Sequence, residues 1–164
     1  MARPQQCPWW LRRHCPRLRR RARLVSRGMS EPAAPGKTIR LLVVDDNDRA
    51  ARSLARCCQV PGLTVVGVAP SRSTALAALA ADIETRPDVV LIDYRLEAGN
   101  GLKVATEMLA AAPGLKVLLV TANASDEVRA AARRAGLSGC IEKTMSLAHA
   151  LPGLVRRAYA GEVI

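Results

Sequence analysis

The chain has 164 residues, and most of its net charge of +11 comes from the first 28 of them. That segment holds nine Arg and neither Asp nor Glu, so it carries +9 and leaves +2 on the other 136 residues. The length suits one domain and excludes a second large one. The nearly neutral body gives no electrostatic reason to expect that it binds nucleic acid.

We expect residues 1–36 to be a basic, disordered leader, and residues 37–164 to be the folded domain. The leader is not made at all if translation starts at Met29. The alternative is a basic arm that contacts nucleic acid or an anionic membrane. The leader has no uninterrupted apolar run of about 7 to 15 residues, so it is not a secretory signal. The apolar runs elsewhere are strand-sized and predict no transmembrane helix.

The cysteines of the body predict no metal site. Cys57, Cys58 and Cys140 have no CxxC spacing, and His149 is the only histidine after residue 28. We expect these cysteines to be buried or half-buried apolar residues of a protein in a reducing compartment, the cytoplasm.

Apolar runs alternate with helical patterns from Thr38 onward. The predicted strands are 39–44, 61–69, 88–94, 113–122 and 139–143, and the predicted helices are 48–58, 73–83, 102–112, 125–136 and a last one ending near Gly161. Ser125 is the expected N-cap of the fourth helix and Gly136 its stop. Because the strands are continuous runs of Val, Leu and Ile, they indicate a parallel sheet covered by helices on both faces, an α/β fold.

Polar residues follow four of the five predicted strands. Asp45 and Asp46 end the first, Asp93 the third, Thr121 the fourth and Lys143 the fifth. In doubly wound sheets the ligand lies at the carboxyl ends of the strands, so these side chains are expected to meet there. For any one of them alone, a helix cap or a solvated strand end is the simpler interpretation.

Converging carboxylates repel each other, and Mg²⁺ relieves that repulsion by taking oxygen ligands. A hydroxyl and an ammonium beside them suit an anionic group attached to a carboxylate, since phosphoryl transfer needs charge neutralised on its oxygens. Asp93, on the central strand, is the carboxylate placed to be phosphorylated.

These motifs, VVDDN, VVLIDYRLEAGNG, VLLVTA and GCIEK, resemble the receiver domains of two-component response regulators over about residues 38–162. The pattern is most similar to receivers that precede LuxR-type helix-turn-helix domains. The resemblance implies a flavodoxin-like, doubly wound (βα)5 fold with strand order 2-1-3-4-5.

The resemblance also implies a role for each site residue. Asp46 is the expected direct Mg²⁺ ligand, with Asp45 acting partly through water. Asp93 is the expected phosphoacceptor and the other carboxylate ligand, and the backbone carbonyl of Arg95 completes the protein's share.

The remaining implied roles concern the phosphoryl group. The hydroxyl of Thr121 is expected to turn onto it, Ala122 to be small enough to admit a donor, and Lys143 to pair with the phosphorylated aspartate. Asn123, like Arg95, is expected to tune how fast water reaches the site.

The sequence departs from the family at Cys140, where members usually have a Tyr or Phe whose rotamer is coupled to the threonine hydroxyl.

Pro152 and Gly153 in the last helix predict either a kink or a helix that begins at the proline. Leu147, Leu151, Leu154 and Val155 are expected to be core positions first and an interaction face second.

The resemblance implies a phosphorelay switch that receives its phosphoryl group from a sensor histidine kinase and catalyses only its own phosphorylation and dephosphorylation. The last two helices and the fifth strand are the expected surface for a homodimer or an output protein, and the receiver itself is expected to touch neither nucleic acid nor membrane.

Two alternatives are a fragment of a LuxR-type DNA-binding regulator and a docking module that works without phosphorylation. A phosphatase of the haloacid-dehalogenase type needs a second Asp two residues after the nucleophile, where this chain has Arg95.

Overall fold

Strands and helices alternate along residues 37–82, 84–96 and 99–164, the part of the chain that the computed structural model describes. The predictions for residues 1–36 lie outside it. The strands of this part are β1 (Ile39–Val44), β2 (Leu63–Ala69), β3 (Val89–Asp93), β4 (Arg95–Leu96), β5 (Gly99–Asn100), β6 (Lys116–Thr121) and β7 (Gly139–Glu142). The helices are α1 (Asp48–Cys57), α2 (Arg72–Leu79), α3 (Gly101–Ala111), α4 (Asp126–Arg134) and α5 (Leu147–Tyr159).

Five strands form one parallel sheet in the order β2-β1-β3-β6-β7. Numbered among themselves, these strands have the order 2-1-3-4-5, which confirms the predicted doubly wound topology. The order reverses between β1 and β3, so the ends of these strands flank the crevice where such folds bind ligands.

The two faces of the sheet carry separate apolar cores, because successive side chains of a strand point to opposite faces. On one face, Val44 and Ile92 pack with residues of α2, α3 and α4. On the other, Val43 and Leu91 pack with residues of α1 and α5, including the predicted core positions Leu147, Leu151 and Val155. The central strands are therefore covered on both sides, as their uninterrupted apolar sequence requires.

Helix ends follow local hydrogen-bonding rules. The Asn47 side chain accepts from the Ala50 N–H and begins α1, and the Ser125 side chain accepts from the Val128 N–H and begins α4. Gly136 has a φ of 77°, a conformation that favours glycine and ends the fourth helix as predicted. These caps fix the point at which the chain leaves each strand end for the next helix.

Three local features differ from the sequence predictions. The predicted elements leave residues 95–101 outside any strand or helix, but β4 and β5 pair there as a short antiparallel hairpin. Helix α2 ends at Leu79, where the Arg86 side chain donates to the Leu79 carbonyl, so residues 80–82 lie outside it. Helix α5 begins at Leu147, so the alternative of a helix that starts at Pro152 is wrong.

Within the described residues, no helix combines the length and the apolar character needed to cross a bilayer.

Candidate functional site

Three carboxylates meet at the carboxyl edge of the sheet. Asp45, Asp46 and Asp93 each offer an oxygen within 4.8 Å of the others. The pairing of β1 and β3 brings them together, since Val44 at the end of β1 lies opposite Ile92, and Asp45 and Asp93 are the residues that follow this pair. The structure thus places Asp93 beside Asp45 and Asp46, although nearly fifty positions separate it from them in the sequence.

Lys143 reaches the carboxylates from the far side of β6. Its Nζ lies 3.0 Å from Oδ2 of Asp45 and 3.2 Å from Oδ1 of Asp93. The Lys143 backbone N–H donates to the Thr121 carbonyl at 2.7 Å, which holds the lysine at the end of β7. The ammonium is therefore shared between two of the three acids.

Asp45 is the most deeply buried member of the site, with 1% of its surface exposed. Its Oδ1 accepts a bond of 2.9 Å from the Asn47 N–H, and its Oδ2 accepts from Lys143. Asp46 is half-buried. Asp45 is therefore fixed in orientation by bonds to both oxygens, as a preorganised ligand must be.

The pKa of Asp93 is raised above its ordinary value, chiefly because burial penalises the charged form. The charge and hydrogen bond of Lys143 and the backbone N–H of Arg95 lower it, whereas the charge of Asp45 raises it. The ionised form of Asp93 is therefore less stable in the folded protein than in water, and a cation bound at the site would stabilise it.

The Thr121 hydroxyl is engaged with the loop that follows β6. It donates to the Asn123 carbonyl at 3.1 Å and accepts from the Asn123 N–H at 3.2 Å. Thr121 is buried, whereas Ala122 and Asn123 are exposed. The hydroxyl is thus bonded to its own loop, and the residues predicted to control access border solvent.

The chain after Asp93 is held close to the site by Gly101. The Gly101 N–H donates to the Tyr94 carbonyl at 2.8 Å, and a Cβ built on Gly101 would overlap the carbonyl of Asp93. Only glycine fits there, so the first residue of α3 packs against the backbone of the predicted phosphoacceptor. The role of the Arg95 carbonyl as a ligand stays a prediction.

Cys140, at the position where the sequence resemblance implies an aromatic residue, is buried in β7. Sequence reasoning missed Arg129, which bonds to this strand: its Nη1 donates to the Cys140 carbonyl and its Nε to the Ala124 carbonyl, each at 3.0 Å. No sequence signal could have found this contact, because both acceptors are backbone carbonyls.

The donor set fits a divalent cation. Three carboxylates and one ammonium leave a net charge of −2, which one Mg²⁺ would neutralise. All of these donors except the ammonium are oxygens, the ligands that Mg²⁺ prefers. The acidic cluster is therefore suited to hold this ion.

Residues 41–152 match the model of the response regulator receiver domain. The chain therefore belongs to this family: it carries the receiver domain of a two-component response regulator, a class of signalling protein and not of metabolic enzyme. Response regulators work with sensor histidine kinases and output domains, and phosphorylation and magnesium are general features of the family.

Two curated relatives are regulators of gene expression or signalling. The chain is 37% identical over 117 residues to the DNA-binding transcriptional activator DevR/DosR of Mycobacterium tuberculosis, covering 69% of this chain and 52% of the relative. It is 34% identical over 125 residues to the response regulator GacA of Pseudomonas viridiflava, covering 76% of this chain and 56% of the relative. The chain thus spans about half the length of the curated relatives it matches.

Solved structures with the same fold include a LuxR-family response regulator from Aurantimonas, with a TM-score of 0.69 and 25% identity over 77% of this chain and 88% of that one. The response regulator domain of Thermotoga maritima CheB has a TM-score of 0.66 and 25% identity, covering 75% of this chain and 97% of that one.

Proposed function

We propose that Asp93 accepts a phosphoryl group from the phosphohistidine of a sensor histidine kinase, and that the new charge switches a protein-interaction surface. The observation that carries the proposal is the convergence of three carboxylates and Lys143 on one edge of the sheet.

In the proposed transfer, a carboxylate oxygen of Asp93 forms a bond to phosphorus while the bond from phosphorus to the histidine nitrogen breaks. The electron pair of the broken bond stays on the imidazole, which then takes up a proton. Lys143, already 3.2 Å from Asp93, offsets the negative charge that the phosphoryl oxygens bring. The Thr121 hydroxyl exchanges its bond to Asn123 for a bond to the phosphoryl group.

Mg²⁺ would be held by Asp46 and Asp93 directly, by Asp45 partly through water, and by the Arg95 backbone carbonyl. When bound, it supplies positive charge to the carboxylates and to the transferring group. Residues of the chain hold the ligands in position. Asn47 and Lys143 orient the Asp45 carboxylate, and Gly101 packs against the backbone carbonyl of Asp93.

Water reverses the modification, and Ala122, Asn123 and Arg95 border its path. We propose that the domain catalyses only this gain and loss of its own phosphoryl group. The exposure of Ala122 and Asn123 supports a role in admitting a phosphodonor and a hydrolytic water.

The output surface is proposed to consist of α4, β7 and α5, which would contact a second copy or an output protein. The relatives support a role in regulating transcription, in which a DNA-binding portion such as that of LuxR-type regulators would touch DNA and the receiver would not. The proposed location is the cytoplasm, without membrane contact by the receiver.

The proposal is tested by incubating the protein with acetyl phosphate and Mg²⁺ and measuring its intact mass. We expect the mass to increase by one phosphoryl group in the wild type and in Asp48→Asn, but not in Asp93→Ala or when EDTA replaces Mg²⁺. Asp48 is the matched control because it lies in the same acidic stretch but is exposed and pairs with Arg52. A wild type that never gains the phosphoryl mass would favour the alternative of a docking module that works without phosphorylation.

A further inference from the structure

Arg129 joins two parts of the molecule that flank the phosphoryl site. Its guanidinium donates through Nε to the Ala124 carbonyl in the loop after β6, and through Nη1 to the Cys140 carbonyl in β7. The side chain is partly buried, so both bonds are sheltered from water. A guanidinium is a rigid planar fork, and two acceptors bound to it keep a fixed mutual geometry.

One end of this bridge lies one residue from the bonds of the Thr121 hydroxyl. That hydroxyl donates to the Asn123 carbonyl and accepts from the Asn123 N–H, and Ala124 follows directly. If Thr121 turns toward Asp93, the bond to the Asn123 carbonyl is lost, and the Asn123–Ala124 peptide, which directly precedes the peptide of the Ala124 carbonyl, is released from one of its restraints.

The other end lies on the outer edge of the sheet. Cys140 presents its backbone N–H and carbonyl on that edge: the N–H donates to the Ile164 carbonyl at 3.3 Å, and the carbonyl accepts from Arg129. The Ile164 N–H donates to the Ser138 carbonyl at 2.8 Å. Arg129 and Ile164 together occupy backbone groups that an edge strand would otherwise leave open.

A cavity of about 260 Å³ lies beside the bridge. Its lining residues are Arg129, Ala132, Arg133, Gly139, Cys140, Val163 and Ile164. The small side chain of Cys140 lines this cavity together with residues of α4, so there is open space beside the bridge into which side chains can move.

We propose that Arg129 is the positioning residue that couples the Thr121 hydroxyl to the β7 edge, in place of the aromatic residue that the sequence resemblance implies. The inference rests on the proposed function in one respect: phosphorylation of Asp93 is the event that triggers the coupling in the cell. The coupling itself is a property of the bonds already formed, and it can be measured without any phosphoryl group.

The first test is a double-mutant cycle read by amide hydrogen exchange without phosphodonor. Thr121→Val removes the hydroxyl and keeps the shape, and we expect it to speed exchange at Cys140 and Ile164 about fivefold, the factor expected for the loss of one hydrogen bond. In an Arg129→Met background the same change should have no further effect. Equal effects of Thr121→Val in both backgrounds would overturn the coupling.

Two further variants separate bridging from charge and from helix stability. Arg129→Lys keeps the charge but lacks the planar fork, and should behave like Arg129→Met. Arg134→Met removes a charge from the same helix at an exposed position outside the cavity lining, and should behave like the wild type. A normal response in Arg129→Lys would show that charge alone suffices and would contradict the proposal. Thermal melts show which variants are folded.

The second test repeats the exchange measurement after acetyl phosphate and Mg²⁺, with the adduct verified by intact mass. The wild type and Arg134→Met should change exchange at Cys140 and Ile164, whereas Arg129→Met should carry the adduct without that change. An adduct with an unaltered edge in the wild type would refute the proposal. Absence of the adduct would count against the proposed function alone, because the double-mutant cycle decides the coupling by itself.

Discussion

At the scale of single residues, the carboxyls of Asp45 and Asp93 differ in the groups that surround them. Asp45 is buried, yet an N–H and an ammonium bind its oxygens. Asp93 shares that ammonium, but burial still raises its pKa above the ordinary value. Ionisation of Asp93, the proposed phosphoacceptor, therefore destabilises the fold, and removing that charge should stabilise the protein without metal.

We expect Asp93→Asn to melt about 4 °C higher than the wild type at pH 7 in EDTA, the shift that about 1 kcal/mol produces in a domain of this size. Because the folded pKa is raised, the cost of the ionised form is absent below the ordinary value of 3.8 and develops as the pH rises through the folded pKa. The advantage of the variant should thus disappear below about pH 4. Thermal melts across pH measure it.

Asp48→Asn is the control, because that carboxyl is exposed and paired with Arg52. It should give no such gain. Added Mg²⁺ should stabilise the wild type more than Asp93→Asn, since the variant has lost a ligand. A wild type more stable than Asp93→Asn in EDTA at neutral pH would contradict the account of this carboxyl.

Between elements, β1 and the chain before β3 are joined by a pair of charged side chains at the edge opposite the site. Asp88 accepts three bonds of 2.8 to 3.0 Å from Arg40, one from its backbone N–H and two from its guanidinium. These bonds hold the pKa of Asp88 below its ordinary value. The pair helps to set the register that brings Asp45 beside Asp93.

Asp88→Asn should lower the free energy of unfolding by about 2 kcal/mol at pH 7, because it leaves a partly buried guanidinium with weaker partners. Since the folded pKa is depressed, this stabilisation is present above 3.8 and is lost as the pH falls through the folded pKa. Urea unfolding at pH 7 and pH 3 measures both effects. Asp48→Asn, which breaks an exposed pair, should cost less than about 0.5 kcal/mol.

Helix α3 begins against the backbone of Asp93, so its first residue should tolerate no side chain. Gly101→Ala is expected to destabilise the protein by about 2 kcal/mol and to slow phosphorylation, because its Cβ overlaps the Asp93 carbonyl. Gly114→Ala is the matched control, since a Cβ there meets nothing within 4 Å. Equal melting temperatures for the two variants would show that the close approach does not constrain the site.

Sequence periodicity was sufficient for the main elements and insufficient for the contacts between them. The apolar runs predicted all five strands of the sheet, and Ser125 and Gly136 marked the ends of α4. The β4–β5 hairpin was missed because strands of two residues carry no measurable pattern.

The site was predictable because its side chains stand at strand ends, where topology alone brings them together. The structure shows Asp45, Asp46, Asp93 and Lys143 in contact range, as expected. The contacts of Arg129 could not be predicted, since a bond from a side chain to a distant backbone carbonyl leaves no mark in the sequence.

At the scale of the whole described domain, the covered sheet provides a packed frame that carries the acidic cluster at its carboxyl edge. Both faces of the central strands are buried under helices, so in the proposed switch α4, α5 and the edge strand β7 respond to Asp93 while the central strands stay packed. The proposed switch therefore changes the edge of the fold and leaves the packing of the central strands unchanged. It depends on Asp93 being the residue that carries the phosphoryl group.

The most direct test of that claim is to locate the phosphoryl group chemically. After acetyl phosphate and Mg²⁺ treatment, borohydride reduction converts an acyl phosphate to an alcohol, which peptide mass spectrometry assigns to a position. We predict homoserine at position 93 alone, and none when EDTA replaces Mg²⁺. Homoserine at position 45 or 46, or no reduced residue in a protein that has gained the phosphoryl mass, would contradict the account.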